Sequence, residues 1–106
     1  MRVLFDQGTP VPLRRFLTQH KVTTAFERGW AEVNNGRLLD AAEADGFAAL
    51  VTTDANLKYQ QNLASRRIAI VVLSTTSWPR IQRSIDLVVA AIDAAAGRGY
   101  TEVEIP

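Results

Sequence analysis

Short apolar runs alternate along this chain with stretches whose apolar residues recur at helical spacing. Val3-Leu4-Phe5 reads as a short strand ending in the turn signal Asp6-Gln7-Gly8. Pro10 and Pro12 suit the start of a helix in which Leu13, Phe16, Leu17 and His20 keep i, i+3, i+4, i+7 spacing. The stretch from Lys21 to Phe26 is rich in β-branched residues and predicts a second strand. Glu27 to Asn35 has no firm period, and Asn34-Asn35-Gly36 reads as a loop or helix start. Arg37 to Asp45 predicts a helix with Leu38, Leu39 and Ala42 facing inward and Gly46 as its stop.

Two later runs, Ala48 to Thr52 and Arg67 to Leu73, lack alternation. Continuous apolar strands are covered on both faces, which marks a parallel sheet. Lys58 to Ser65 between them leaves room only for a short helix. Ser74-Thr75-Thr76-Ser77 then leads into Trp78-Pro79, a helix boundary. From Pro79 to Ala96 the residues Ile81, Ile85, Val88, Val89 and Ile92 form one stripe, and Gly97 and Gly99 stop the helix. Thr101 to Ile105 alternates strictly, so it predicts a half-exposed edge strand whose Glu102 and Glu104 oppose edge-to-edge pairing. The order βαβαβ(α)βαβ, with right-handed crossovers, predicts an α/β fold: a three-layer α/β/α sandwich on a mostly parallel sheet of about five strands. All 106 residues fit a single domain.

Composition narrows the chemistry. At 47% hydrophobic and 22% charged the chain is globular, not disordered. Twelve basic and 11 acidic residues leave a net charge of +1, so bulk electrostatics name no partner. The absence of cysteine excludes disulfides, thiolate metal sites and a thiol nucleophile, and a single histidine excludes a His-rich zinc site. The early charges at Arg2 and Asp6 do not suit a signal peptide, and no apolar run approaches the ~20 residues of a membrane span. A cytoplasmic protein with no membrane association is the expectation.

In an open parallel sheet ligands bind outside the carboxyl ends of the strands, near the point where strand order reverses. The predicted strands end at Asp6, at Thr53-Asp54 and at Ser74-Thr75. Two carboxylates and several hydroxyls are thus expected at one edge. Oxygen ligands of this kind suit Mg²⁺ or Mn²⁺, which can activate water and stabilise charge on a phosphodiester. The plainer reading makes Asp6 and Asp54 caps of turns or helices.

Leu4-Phe5-Asp6-Gln7, followed by Pro10 and Pro12, resembles the opening of the small PIN-like proteins, which typically read LFDEN-x-P. Val51-Thr52-Thr53-Asp54-Ala55-Asn56-Leu57 resembles their second signature, VTxDxDF, and Gly36 to Gly46 is similar to their DEEILxxAxxxG helix. The resemblance runs over nearly the whole chain in the same element order. It implies a PIN-like fold, Mg²⁺- or Mn²⁺-dependent cleavage of RNA, and a cognate antitoxin protein as partner; a homodimer is a separate expectation. It also implies that Asp6 and Asp54 carry catalysis and hold the metal. Asn35 stands where an acid is usual, Asn56 at the later Asp position, and Gln7 where Glu is common. Asn35 and Asn56 would complete the metal shell directly or through water, with Thr53, Ser74 and an off-register Asp40 in support. Asparagine offers a carbonyl oxygen without charge, so this cluster is expected to bind a divalent ion more weakly.

Lys58-Tyr59-Gln60-Gln61-Asn62 follows the second signature directly. Lys58 and Tyr59 are candidates for gripping RNA, Tyr59 by stacking on a base, against the alternative of a solvated loop-helix. Arg14-Arg15, Arg66-Arg67, Arg80 and Arg83 read as solvated faces. Trp30 suits either a partner anchor or a cover for the sheet edge, Trp78 packs at a helix entry, and His20 is expected against helix C-terminal carbonyls. Two other functions compete. A non-catalytic PIN-like module would bind RNA or protein without cleaving. A receiver-like phosphoacceptor would use Asp54 with Ser74 or Thr75, but it needs paired acids after the first strand and a Lys after the fifth, which this chain lacks.

Overall fold

Every residue of Ala49–Thr52 and Ala69–Leu73 is buried, as their unbroken apolar runs require. The computed structural model describes residues 1–60 and 63–106, with Tyr59, Gln60 and Ala64 described in their backbone alone. Five strands, β1 (Arg2–Phe5), β2 (Lys21–Thr24), β3 (Ala49–Thr52), β4 (Ala69–Leu73) and β5 (Tyr100–Val103), form a sheet in the order β2-β1-β3-β4-β5. All four pairings are parallel. The helices are α1 (Asn35–Ala44), α2 (Leu57–Gln60), α3 (Trp78–Arg83) and α4 (Ile85–Asp93), with 3-10 segments at Val11–Phe16 and Leu63–Ser65. No helix among the described residues is long and apolar enough to cross a membrane.

Register pairs such as Val3↔Ala49, Ala49↔Ala69 and Leu73↔Val103 put the odd-numbered residues of β1, β3, β4 and β5 on one face, where β2 contributes its even-numbered ones. There Val3, Phe5, Val51 and Val71 pack against Leu13 and Leu17 of the first connection and against Ile81, Val88 and Ile92. On the other face Leu4, Leu50, Ile70 and Val72 pack against Leu38, Leu39 and Ala42 of α1 and against Leu57 of α2. These are the three layers expected from the sequence.

Three local expectations change. The first helix forms as a six-residue 3-10 segment, ending where Leu17 leaves the helical region at φ of −105° and ψ of 56°, and the next strand starts at Lys21. The long helix after Trp78 divides at Ser84, whose φ of −117° and ψ of 32° leave the helical region. His20 meets side-chain and terminal groups instead of helix carbonyls, with Nε2 2.6 Å from Asp93 and Nδ1 3.3 Å from the Met1 amine.

The crossovers also differ from a uniformly right-handed set. The β1–β2 connection moves to one side of β1 over the odd face. The β2–β3 and β3–β4 connections move the opposite way over the even face, so these three share one hand. The β4–β5 connection moves in the same direction as β3–β4, yet α3 and α4 lie on the odd face, which gives it the opposite hand. The single 3-10 segment covers the odd face thinly, and α3–α4 fills the space beside it. Phe16 and Trp78 ring centroids are 5.9 Å apart there.

On the even face, Arg66 links α1 to the entry of β4 through Asp40 at 2.5 Å and Glu43 at 2.8 Å. Glu43 also accepts from the backbone N–H of Arg67 at 2.7 Å. Burial pushes the Glu43 carboxyl up, but Arg66 and the Arg67 and Ile68 N–H groups outweigh it and hold it below its ordinary value. A depressed folded pKa stabilises the protein above the unfolded value and is lost as pH falls through the folded one. Glu43→Gln is therefore expected to cost about 1–2 kcal/mol at neutral pH. In acid titrations followed by circular dichroism, the gap to the parent should close below about pH 4.5.

Candidate functional site at the carboxyl edge of the sheet

The chain leaves β1 towards β2 but leaves β3 towards β4, so the direction of winding reverses between these neighbours. Crevices outside the carboxyl ends of strands at such a point are where open parallel sheets bind ligands. Asp6 follows β1 directly and Asp54 lies two residues beyond β3. Both are half-buried.

Thr52, the last residue of β3, joins them. This residue is 1% exposed, its hydroxyl donates to Asp6 Oδ2, and the same hydroxyl accepts from the Asp54 N–H at 3.1 Å. The other oxygen of Asp6 lies 2.8 Å from the Thr9 hydroxyl, which is also 2.8 Å from the Val51 carbonyl and shares its proton between the two. Asp54 accepts from the side-chain amide of Asn35 at 2.6 Å and from the Asn56 N–H at 3.0 Å. Asn35 reaches this position as the first residue of α1, which begins where the Asn34 side chain caps it by accepting from the Arg37 N–H at 3.1 Å. Gly8 permits the close approach of the two strand-end loops, since a Cβ there would fall 2.8 Å from Thr53 Oγ1. Each carboxylate is thus held by neutral donors, and no buried side-chain N or O among the described residues lacks a partner.

The structure gathers Asp6, Asp54 and Asn35 with the Asn56 backbone, and brings Thr53 against Gly8. The Asn56 residue itself is exposed. Other candidates lie in other contacts. The Ser74 hydroxyl accepts from the Ile105 N–H at 2.8 Å and fixes the chain beyond β5. Asp40 pairs with Arg66 on the outer side of α1. Lys58 pairs with Glu102 at 2.8 Å and sits 5.8 Å over the Tyr100 ring. The side chain of Tyr59, with Gln61 and Asn62, lies outside the described residues. Thr9 and Thr52 were missed by sequence reasoning. Thr9, three residues after a turn Asp, carries a weak local signal; Thr52 at the end of an apolar run carries none.

The donor set is entirely oxygen, which suits a hard divalent cation. It holds only two acids, and no group of three or more His, Asp or Glu able to hold an ion occurs among the described residues. Mg²⁺ and Mn²⁺ bind through one or two carboxylates and otherwise keep water. Two clefts meet at Asp6: one of about 150 Å³ bounded by Asn35 and Trp30, and one of about 370 Å³ bounded by Thr9, Val11 and Phe26. No family model, no curated protein and no solved structure matches the chain. The fold is that of an α/β protein on a five-stranded all-parallel sheet, with Asp6 and Asp54 following the two strands at its switch point.

Proposed function

We propose that the chain is a PIN-like domain that hydrolyses RNA with Mg²⁺ or Mn²⁺ through a site of reduced charge. The observation that carries this reading is the placing of Asp6 and Asp54 at the switch point, joined through Thr52. The similarity of the Asp6 and Asp54 segments to the two PIN-like signatures supports it. Asp6 and Asp54 would hold the ion, which supplies an activated water and offsets charge at the phosphodiester. Thr9 and Thr52 orient Asp6, and Asn35 with the Asn56 N–H orients Asp54. A role as the toxin of a toxin–antitoxin pair in the cytoplasm goes with this reading.

A second reading, a non-catalytic PIN-like module that binds RNA or a protein partner, is favoured by one feature. Both carboxylates are closed by neutral donors, with Asn35 and Asn56 where acids are usual. A ribonuclease assay with and without Mn²⁺ separates the two. Cleavage that requires Mn²⁺ and disappears in the Asp6→Asn/Asp54→Asn variant is the expected result. RNA binding with no cleavage under any metal condition overturns the first reading in favour of the second.

A further inference from the structure

Phe26 is 76% exposed, the most exposed of the large hydrophobic side chains among the described residues, and with Val11 (48%) it borders the cleft of about 370 Å³ that ends at Asp6. An aromatic ring in water on a loose loop would mean little, but this ring is presented by a fixed turn. The Ala25 N–H donates to the Phe5 carbonyl at 2.8 Å, and the Trp30 N–H closes back on the Ala25 carbonyl at 2.8 Å. Gly29, with φ of +76°, makes that reversal possible. Glu27 locks the other side. It accepts from the Thr24 N–H at 2.9 Å and from Arg14 at 2.7 Å, while its own N–H donates to the Thr24 hydroxyl at 3.1 Å.

We propose that Phe26 and Val11 form a platform on which a nucleobase of single-stranded RNA stacks, with the adjoining phosphate directed to Asp6. This inference rests on the reading of Asp6 and Asp54 as the reacting site. Size favours a base over a protein segment. A cleft of this volume takes one planar ring system, whereas a specific protein interface buries roughly 800 Å² on each side. Composition agrees, since the cleft pairs the apolar side chains of Val11 and Phe26 with the exposed Gln7, whose amide can meet base donors and acceptors. Stacking on an aromatic ring tolerates any base, so the platform positions the strand without strong sequence choice.

The test is binding of a short fluorescein-labelled single-stranded RNA, followed by anisotropy. It is carried out in the Asp6→Asn/Asp54→Asn background so that cleavage cannot intrude. Phe26→Ala is expected to weaken binding about tenfold or more, within the range for loss of one stacked base. Phe26→Tyr should keep most of the affinity. Phe26→Leu, which keeps an apolar side chain but has no aromatic face, should lose as much as Phe26→Ala. Thermal melts of each variant check that an exposed position leaves folding intact. Equal affinity in parent, Phe26→Ala and Phe26→Leu overturns the platform, and so does absence of RNA binding in the parent. Self-association that Phe26→Ala abolishes, with RNA affinity unchanged, also overturns it and assigns the ring to a protein contact. Metal-dependent cleavage by the native chain, measured separately, stands or falls on its own result.

Discussion

Thr52→Val is expected to destabilise the protein by about 3 kcal/mol, because one buried hydroxyl both donates to Asp6 and accepts from the Asp54 N–H. Valine keeps the shape of threonine, so the apolar packing of β3 is nearly unchanged. What changes is that Asp6 loses a donor to a charged group and the Asp54 N–H loses its acceptor. A hydrogen bond to a charged group is worth about 1.5–3 kcal/mol, and an orphaned buried N–H costs about 1–3. Water can reach the half-buried aspartates and repair part of the loss, which places the sum towards the lower end of the combined range. Urea denaturation should show a lower midpoint with an unchanged slope, since the surface exposed on unfolding is the same. Thr52→Ser should recover most of the stability because it restores both bonds. If Thr52→Val melts like the parent, the hydroxyl does not join the two strand ends.

The layering of the fold was legible because burial leaves a direct mark on sequence. Val51 and Val71 face one helical layer while Leu50 and Ile70 face the other, and only an unbroken apolar run serves both. The break at Ser84 was not legible, since Ile81 and Val88 keep one stripe whether or not the helix is continuous. Nor was the opposite hand of the β4–β5 crossover. A stripe such as Val88 and Ile92 says that a face is buried, not which face of the sheet it covers. At the site, the ends of β1 and β3 are visible as switches from apolar to polar residues, and that put Asp6 and Asp54 at one edge. Thr52 was hidden because its side chain sits in a strand that reads as packing, and its hydroxyl matters only once β1 lies alongside. Arg66 and Glu43 were opaque for the same reason, being 23 residues apart and joined only by the path of the fold.

Asn35→Asp is expected to convert the most direct polar contact of the site into a repulsive one. The Asn35 amide donates to Asp54 Oδ2 at 2.6 Å, and aspartate at that position has no proton to offer at neutral pH. The variant loses a bond to a charged group and sets two carboxylates within contact. At 4 Å and an effective dielectric near 20 such a pair repels by about 4 kcal/mol, before rotation towards solvent relieves part of it. A net loss of about 2–3 kcal/mol at pH 7 follows. Like charges raise the apparent pKa of the pair above the unfolded value, so the repulsion is present at neutral pH and fades as pH falls and one proton binds. Asn35→Asp should therefore approach the stability of Asn35→Ala, which lacks the bond but carries no charge, as pH drops towards about 5. Mn²⁺ should act on the same repulsion. At a hundred times its dissociation constant an ion bound only to the folded state adds about 2.7 kcal/mol, enough to restore the variant. The parent, with one carboxylate fewer, should respond less, and Asn35→Ala least. Urea melts of the three proteins at pH 7 and pH 5, with and without Mn²⁺, read all of this at once. A loss in Asn35→Asp that ignores both pH and Mn²⁺ would mean that residue 35 does not face Asp54, and the switch-point pair would no longer stand as a cation site.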